Sequence, residues 1–366
     1  MVSGVDGEAG DGGREGLVAR VIGWAARHPA MVLIAAAVIG VAGYRAMLSI
    51  PLDAVPDLSD TQVIVTAEWP GRSPELVEGQ LTYPLSTAFL AAPKVKAVRG
   101  QSFFGVSFVY VIFEDGTDLY WARSRVLEYI SEARGRLPVG VEPSLGPDAT
   151  AVGWVFQYAL VDRTGGQSLA DLRTLQDRTL RLALESVPGV SEVASIGGFV
   201  KQYQVILDPD ELVSRNIPLD RVVEAVRGSN ADTGGETLEV AEHEQMVRGR
   251  GFLRTKADLE AVPVAVGEHG VPVLLSHLGE VAEVAAPRRG IGELNGEGEA
   301  VGGIVVRRYG ESALDVIGRV KARLAEVERG LPAGVRIEVV YDRSEFIQQA
   351  IGTLREGLVQ EMLVVS

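Results

Sequence analysis

The segment Leu137-Pro-Val-Gly-Val141 and its echo Leu331-Pro-Ala-Gly-Val335, 194 positions later, decide the fold of this 366-residue chain. Each segment follows a stretch with helical periodicity. Each also places a proline and a glycine, residues that break helices and form turns, directly before an apolar strand pattern. A helix–turn–strand joint that occurs twice predicts an internal repeat, so the residues before each joint should share further elements.

Working outward from the joints gives the same order in both copies: strand, helix, strand, strand, helix, strand. In the first copy, residues 53–150, these elements are expected at Thr61–Trp69, Ser73–Ala91, Val95–Gln101, Ser107–Phe113, Thr117–Arg136 and from Val141 onward. In the second copy, residues 151–197 and 288–342, they are expected at Trp154–Val161, Ser168–Ser186, Val190–Ile196, Gly302–Arg308, Ser312–Gly330 and Val335–Tyr341. This is the order of the ferredoxin-like split fold. The sequence therefore predicts an α+β protein with two ferredoxin-like subdomains, the second of them interrupted.

Residues 198–287 interrupt the second copy and are expected to form a small α+β subdomain of their own. Residues 233–250 within it predict a projecting hairpin with a polar tip, which includes Glu239, Glu242, His243 and Glu244. Such an arm is either a solvated loop or a contact that reaches into a neighbouring subunit. The sequence leaves both readings open.

Residues 17–52 predict an amphipathic lead-in followed by a transmembrane helix. From Pro29, which suits the first turn of a helix, to Leu52 the only charged residue is Arg45, which can reach the membrane interface. These residues span about 36 Å as a helix, against about 30 Å for the hydrocarbon core of a bilayer. A cleaved signal peptide and a buried helix of a soluble protein are the alternatives.

The flanks of this apolar run set its orientation. Residues 1–16 are rich in glycine and acidic residues and are expected to be a disordered tail. Arg14, Arg20 and Arg27 precede the run, so the positive-inside rule places the N-terminus in the cytoplasm and residues of about 53–350 on the other side. Residues 343–366 begin as a capped helix and end on an apolar run, which predicts the lead-in to a second, truncated transmembrane helix.

Composition excludes several classes of function. The chain has 35 basic and 49 acidic residues, a net charge of −14, and therefore lacks the positive surface that nucleic-acid binding requires. With no cysteine it has no disulfide, no catalytic thiolate and no cysteine-based metal centre. It also has no phosphate-binding loop, no dinucleotide fingerprint and no G-x-S-x-G motif, so no catalytic residue, resident metal site or cofactor is predicted. The residues alone indicate a membrane-anchored, non-catalytic module.

A series of short blocks resembles the N-terminal third of heavy-metal efflux pumps of the resistance–nodulation–division (RND) superfamily. The blocks cover nearly all of the chain after Trp24, and they include Asp53-Ala-Val-Pro-Asp57-Leu-Ser-Asp60, Thr82-Tyr-Pro-Leu85, Val98-Arg-Gly100, Phe113-Glu-Asp-Gly-Thr-Asp118, Leu145-Gly-Pro-Asp-Ala-Thr150, Glu293-Leu-Asn-Gly-Glu297 and Tyr341-Asp-Arg-Ser344. The first block, the Gly-Pro-Asp-Ala-Thr block and Val152-Gly-Trp154 look closer to the copper/silver pumps than to the cobalt–zinc–cadmium pumps.

The resemblance implies a proton-driven antiporter of the bacterial inner membrane that exports metal cations. It implies two porter subdomains, a docking subdomain whose hairpin enters the next protomer of a homotrimer, a periplasmic adaptor and an outer-membrane channel. It also implies that Arg99 lines the substrate cleft, and that the proton relay and the methionine metal site lie outside this chain. Three alternatives remain: a truncated, membrane-anchored assembly module without transport, a multidrug RND permease fragment, and a metal-dependent hydrolase.

Overall fold

The computed structural model describes residues 12–49, 53, 57–231, 233–240, 243–249, 251–267, 270–288 and 290–365. The chain divides between residues 53 and 54 into two compact units. The smaller one is helical, and the larger one contains the repeats and their insert.

The N-terminal unit consists of two helices, α1 (Gly12–Arg27) and α2 (Pro29–Ser49). The sequence analysis predicts a disordered tail at residues 1–16. Helix α1 begins at Gly12, so that prediction is wrong for residues 12–16. Once the apolar residues after Leu17 form a helix, each added residue closes one further hydrogen bond, so the helix extends into a glycine-rich segment. Residues 1–11 lie outside the described residues.

Helix α2 is the one helix in the described part of the chain with the length and hydropathy of a membrane span. Its apolar stretch runs from Pro29 to Ala46, and none of these residues is buried by the protein. Pro29 is its first residue, as predicted, because a helix start needs no N–H there. A long apolar helix with no protein cover is expected in lipid, whereas the core helix of a soluble protein would be buried.

The first repeat unit (residues 61–145) is a four-stranded antiparallel sheet with helices on one face. Its elements are β1 (Gln62–Glu68), α3 (Pro74–Val77), α4 (Tyr83–Leu90), β2 (Val95–Phe103), β3 (Val106–Phe113), α5 (Leu119–Ala133) and β4 (Ser144–Leu145). The strand order across the sheet is β2-β3-β1-β4.

The second repeat unit (residues 154–196 and 301–342) has the same arrangement. Its first half comprises β5 (Trp154–Asp162), α6 (Leu169–Leu175), α7 (Arg181–Glu185) and β6 (Val190–Ile196). The insert follows, with β7 (Lys201–Leu207), α8 (Pro209–Ser214), α9 (Leu219–Gly228), β8 (Thr233–Val240), β9 (His243–Gly249), α10 (Lys256–Glu260), β10 (Pro263–Val266), β11 (Pro272–Leu274) and β12 (Gly279–Ala285). The unit then resumes with β13 (Val301–Arg307), α11 (Ala313–Glu328) and β14 (Val335–Asp342). Its strand order is β14-β5-β13-β6. Given from the other edge, β6-β13-β5-β14, this is the order β2-β3-β1-β4 of the first unit, with each strand replaced by its equivalent.

Alternation along the strands gives each sheet one core face and one outer face. In β1, Val63, Val65 and Ala67 are at most 1% exposed and pack under the helices, whereas Ile64 and Thr66 point to the other side. Burying one such valine stabilises the fold by about 1.5–3 kcal/mol relative to leaving it exposed. The second repeat unit and the insert have separate hydrophobic clusters of their own.

The joints that reveal the repeat form equivalent turns with different outcomes. The N–H of Val141 donates to the carbonyl of Pro138, and the N–H of Val335 donates to the carbonyl of Pro332. Gly140 and Gly334 lie before those valines with φ of 85° and 93°, in the left-handed region that favours glycine. The second turn leads directly into the eight residues of β14, as predicted. The first does not begin a strand at Val141, because β4 contains only Ser144 and Leu145.

A π turn interrupts the first helix of each repeat unit. It spans Glu78–Thr82 between α3 and α4, and Gln176–Leu180 between α6 and α7. The sequence analysis predicts each helix as a single uninterrupted segment and does not predict these turns. Each π turn contributes a buried polar side chain, Thr82 in the first unit and Gln176 in the second.

Both buried polar side chains are paired. The Thr82 hydroxyl lies 2.7 Å from the hydroxyls of Ser102 and Ser107, and the Tyr158 hydroxyl donates to Oε1 of Gln176 at 3.0 Å. Leaving such a group buried without its partner would cost about 1–3 kcal/mol. The π turns therefore position specific polar pairs under each sheet.

The last helix, α12 (Arg343–Val365), begins directly after β14. Asp342 accepts hydrogen bonds from the backbone N–H and the hydroxyl of Ser344, which fixes its first turn. The apolar residues near its C-terminal end, Met362 to Val365, are at least 70% exposed.

Candidate functional site

Arg99, the residue that the family resemblance places in a cleft, lies in β2 with an exposed side chain. It is directly opposite Tyr110 of β3, which is in turn opposite Ile64 of β1. Because directly opposed residues of an antiparallel sheet share a face, these three residues form one row on the outer face of the first sheet. Tyr110 and Ile64 both line a cleft, so Arg99 lies at the far strand of the face that borders it.

The cleft has a volume of ≈ 590 Å³ and lies between the two repeat units. The first unit contributes apolar and aromatic side chains, among them Ile64, Phe108, Tyr110 and Leu145. Polar side chains reach it from both units and from the segment between them: Thr66, Arg123, Asp148, Ser191 and Glu192. An apolar cavity with a few convergent polar groups is the usual form of a binding site.

Asp148 connects the two walls of the cleft. Its carboxylate accepts a hydrogen bond from Tyr120 of α5 at 3.2 Å, which belongs to the first repeat unit. It also accepts from the hydroxyl of Ser191 in β6 and forms an ion pair with Arg308 at 3.0 Å, both in the second unit. The Asp148 side chain is only 18% exposed.

The pKa values of the two acidic groups of the cleft, Asp148 and Glu192, are shifted in opposite directions. Burial opposes ionisation of Asp148, but the hydrogen bond from Ser191 and the charge of Arg308 outweigh it, so its pKa is lowered. Burial raises the pKa of Glu192, and the charge of Glu185 raises it further. The cleft therefore holds one firmly ionised carboxylate and one that takes up a proton more readily than an ordinary glutamate.

The segment 146–153 runs between the repeat units and is hydrogen-bonded to both. The N–H of Gly146 donates to the carbonyl of Ile64 at 2.8 Å in the first unit. The carbonyl of Gly153 accepts from the N–H of Arg307 at 2.7 Å in the second unit. Thr150 donates to the carboxylate of Asp57 at 2.5 Å, which ties the same segment to the chain before β1.

The predicted hairpin residues lie on two paired strands of the insert. In the register of β8 and β9, Glu239 is opposite Glu244 and Val240 is opposite His243. Glu242 lies outside the described residues. Among the described residues, no group of three or more histidine or acidic side chains is placed to hold a metal ion.

The two residues predicted to mark the membrane anchor lie in α2. Pro29 is its first residue, and Arg45 is the fifth residue from its end at Ser49. This spacing puts the one charge of the predicted apolar run about one turn from the helix end.

Comparison with known proteins identifies the family. The AcrB/AcrD/AcrF family pattern matches residues 21–366, nearly the whole chain. The chain belongs to the AcrB/AcrD/AcrF family. The predicted resemblance to heavy-metal efflux pumps is confirmed by relatives and by solved structures alike.

Among curated members of the AcrB/AcrD/AcrF family, this chain is 50% identical over 336 residues to the cation efflux system protein CusA of Escherichia coli (strain K12). It is 49% identical to the putative cation efflux system protein SilA of Salmonella typhimurium, and each alignment covers 92% of this chain and 32% of the relative. It is 34% identical over 355 residues to the cobalt-zinc-cadmium resistance protein CzcA of Cupriavidus metallidurans, covering 94% of this chain and 33% of that protein.

A crystal structure of a heavy metal efflux pump superposes on this AcrB/AcrD/AcrF-family chain with a TM-score of 0.83 at 31% identity. The match covers 93% of this chain and 34% of that one. The chain thus spans about a third of the length of the relatives it matches.

Sequence reasoning about this family member missed the residues that connect the walls of its cleft. Asp148 lies in the Gly-Pro-Asp-Ala-Thr block at the boundary of the two predicted repeats, and that position was the one available signal. Glu192 is one of 49 acidic residues in the chain. Its place in β6 beside the cleft follows only from the packing of the second repeat unit against the first.

Proposed function

We propose that this chain is part of a proton-driven efflux pump for heavy-metal cations, with monovalent copper or silver as its substrate. The observation that carries the proposal is the difference in identity: 50% to CusA and 49% to SilA, against 34% to the cobalt-zinc-cadmium protein CzcA. The complete pump would contain about three times the length of this chain. It acts as a transporter and not as an enzyme, and no resident cofactor is proposed.

In this proposal the two repeat units are ferredoxin-like porter subdomains, and the insert is a docking subdomain. The shared strand order of the two sheets supports the first assignment. Helix α2 is the membrane anchor, with the N-terminus in the cytoplasm and the repeat units in the periplasm. Its exposed apolar surface and the position of Arg45 support a crossing of the inner membrane.

We further propose that three copies assemble and that residues 233–250 dock into the neighbouring copy. The paired strands β8 and β9 have the form that such an arm requires. A periplasmic adaptor and an outer-membrane channel would complete the export path. The proton relay and the metal-binding methionines are assigned to the part of the pump beyond this chain.

The cleft of ≈ 590 Å³ gives the porter subdomains a surface that a transported metal cation can contact. Arg99 shares the outer sheet face that borders the cleft. A positive charge there would repel a bound cation and assist its release towards the exit. We therefore assign Arg99 a role in the passage of the ion and not in its capture.

The test is growth of a bacterium that lacks its own copper and silver exporters, carrying the complete reading frame that contains this chain. Protection against copper and silver, but not against zinc, cobalt or cadmium, is the expected result. Protection against dyes and detergents instead would identify a multidrug pump. A stable membrane product that protects against neither class would leave an anchored assembly module.

A paired substitution tests the role of the cleft face. Arg99→Ala in the complete pump is expected to reduce metal protection at unchanged membrane abundance. Lys96→Ala is the matched control, because Lys96 is an exposed basic residue of the same strand that pairs with Asp60 and Asp115. Equal protection by the two variants would remove Arg99 from the transport path.

A further inference from the structure

The connection between the repeat units contains a single residue that is free to act as a hinge. Gly146 is held to the first unit, since its N–H donates to Ile64 and its carbonyl accepts from Arg123 at 2.9 Å. Asp148 is held to the second unit, since its carbonyl accepts from the N–H of Tyr309 at 2.8 Å. Pro147 alone separates these two anchored residues.

A proline hinge has restricted freedom. The ring fixes φ near −65°, so rotation about this point of the chain is limited mainly to the adjoining ψ angles. Such a joint allows the two units to tilt towards or away from one another without breaking the backbone hydrogen bonds on either side. The backbone by itself therefore leaves the width of the cleft unfixed.

We propose that Asp148 is a positioning residue that holds the two repeat units in one orientation across Pro147 and so sets the width of the cleft. Its carboxylate reaches back over the hinge to Tyr120 of the first unit. The same carboxylate is held by Ser191 and Arg308 of the second unit. One carboxylate thus connects α5 of the first unit to β6 of the second, in addition to the backbone connection through residues 146–148.

The surroundings of Asp148 suit a strong contact. Hydrogen bonds to an ionised group are stronger than those between neutral groups. Screening by solvent makes surface ion pairs weak. The low exposure of the Asp148 side chain reduces this screening. Arg308 is itself fixed, because its Nη2 donates to the carbonyl of Val190 at 3.4 Å and its N–H donates to the carbonyl of Gly189. This inference concerns the orientation of the two units and does not depend on transport.

The chain has no cysteine, so two introduced cysteines can be spin-labelled without background. Glu132→Cys on α5 and Ala325→Cys on α11 place one label on an exposed helix position of each repeat unit. Distances between the labels are measured by pulsed electron spin resonance on the full chain in lipid nanodiscs. The parent is expected to give one narrow distance, since the two units are held in one orientation.

Asp148→Asn is expected to add a second, longer distance, because a neutral amide holds Tyr120 and Arg308 less strongly than the carboxylate does. Asp162→Asn is the matched control, because the Asp162 carboxylate accepts from the N–H groups of Thr164 and Gln167 within a single unit. That control should leave the distance unchanged.

The proposal is overturned if folded Asp148→Asn protein keeps the parent distance distribution. Should that variant fail to fold, Tyr120→Phe decides the matter, because it removes the Tyr120–Asp148 contact across Pro147 and leaves the Thr150–Asp57 hydrogen bond in place. A broadened distance distribution in Tyr120→Phe supports the positioning role of Asp148. A parent-like distance in Tyr120→Phe rejects it.

Discussion

The two repeat units share the order of their elements, their strand order and their Leu-Pro-x-Gly turn, yet their last strands differ fourfold in length. The first turn leads to the two residues of β4, and the second leads to the eight residues of β14. Pro143 and Pro147 flank β4, and a proline has no N–H to donate to a neighbouring strand. No proline occurs between Val335 and Asp342. An equivalent turn therefore starts either a full edge strand or a connecting segment, depending on where prolines follow.

The difference has a structural use. The short strand leaves residues 146–153 free to run between the units and to carry Asp148 into the cleft. The long strand gives the second unit a complete edge and leads directly into α12. The first unit thus provides the connection, and the second provides the more complete sheet.

The largest expected loss of stability comes from a substitution in the core of the second unit, which does not contact the first unit. Gly303 lies in β13, where an added Cβ would approach the Tyr158 hydroxyl to 2.5 Å and Nε2 of Gln176 to 2.9 Å. Gly303→Val is expected to lower the free energy of unfolding by about 3 kcal/mol, because the pair under the π turn cannot move aside in a packed core. Denaturant unfolding of the full chain in detergent, followed by tryptophan fluorescence, measures this.

The control for Gly303 is a glycine in the open. Gly318 lies in α11, and nothing lies within 4 Å of an added Cβ. Gly318→Ala should raise the free energy of unfolding by about 0.5–1 kcal/mol, since alanine is the better helix former. A loss of stability in Gly318→Ala, or none in Gly303→Val, would contradict the packing described for this unit.

The second effect compares the two turns directly. Both Gly140→Ala and Gly334→Ala force a side chain into the left-handed region, at about 1–2 kcal/mol each. At Gly140 nothing lies within 4 Å of the new Cβ, whereas at Gly334 it would meet Oγ1 of Thr164 at 2.5 Å. Gly334→Ala should therefore cost about 2 kcal/mol and Gly140→Ala about 1 kcal/mol. Equal losses in the same unfolding experiment would show that Thr164 yields freely.

Two further substitutions compare the π turns of the two units. Tyr158→Phe removes the hydroxyl that donates to Gln176 and leaves a buried amide oxygen without that partner, at about 1.5 kcal/mol. Thr82→Val in the first unit removes the hydroxyl shared by Ser102 and Ser107, with a similar expected loss. Urea midpoints of the two variants give the comparison, and a neutral result at either position would mean that water replaces the lost group.

The smallest effect concerns pH and the joint between the units. The folded pKa of Asp148 is lowered from 3.8 despite its burial, chiefly by Ser191 and Arg308. The ionised carboxylate therefore stabilises the fold fully above about pH 4, and this contribution is lost as the pH falls through the folded pKa. The stability gap between the parent and Asp148→Asn, expected to be under about 1 kcal/mol, should close below pH 4. A gap that stays constant from pH 7 to pH 3 would exclude the carboxylate charge as its cause.

Much of the fold could be predicted because apolar alternation and breaker residues act locally. Most strands of the two repeat units, the helices between them and the β8–β9 hairpin of the insert follow from short patterns such as Thr61–Trp69. The π turns could not be predicted, since they depend on which side chain must face the core. Pro143 and Pro147 indicate that the last strand of the first unit must be short. The repeat pattern alone predicts that this strand begins at Val141.

The candidate site was less predictable than the fold. Arg99 and the hairpin residues were selected by resemblance, and the sheet register explains the place of Arg99 only once Tyr110 and Ile64 are paired with it. Asp148 and Glu192 meet in one cleft through contacts between residues more than 40 positions apart, which no local pattern encodes.

The antiparallel pair that β7 forms with β12 makes the insert portable. Lys201 and Ala285 are register partners, so the chain enters and leaves the insert at points about 5 Å apart. A gap of that size is closed by a two-residue turn. Removal of the insert would therefore leave two chain ends that a short turn can join, while β6 and β13 keep their pairing in the host unit.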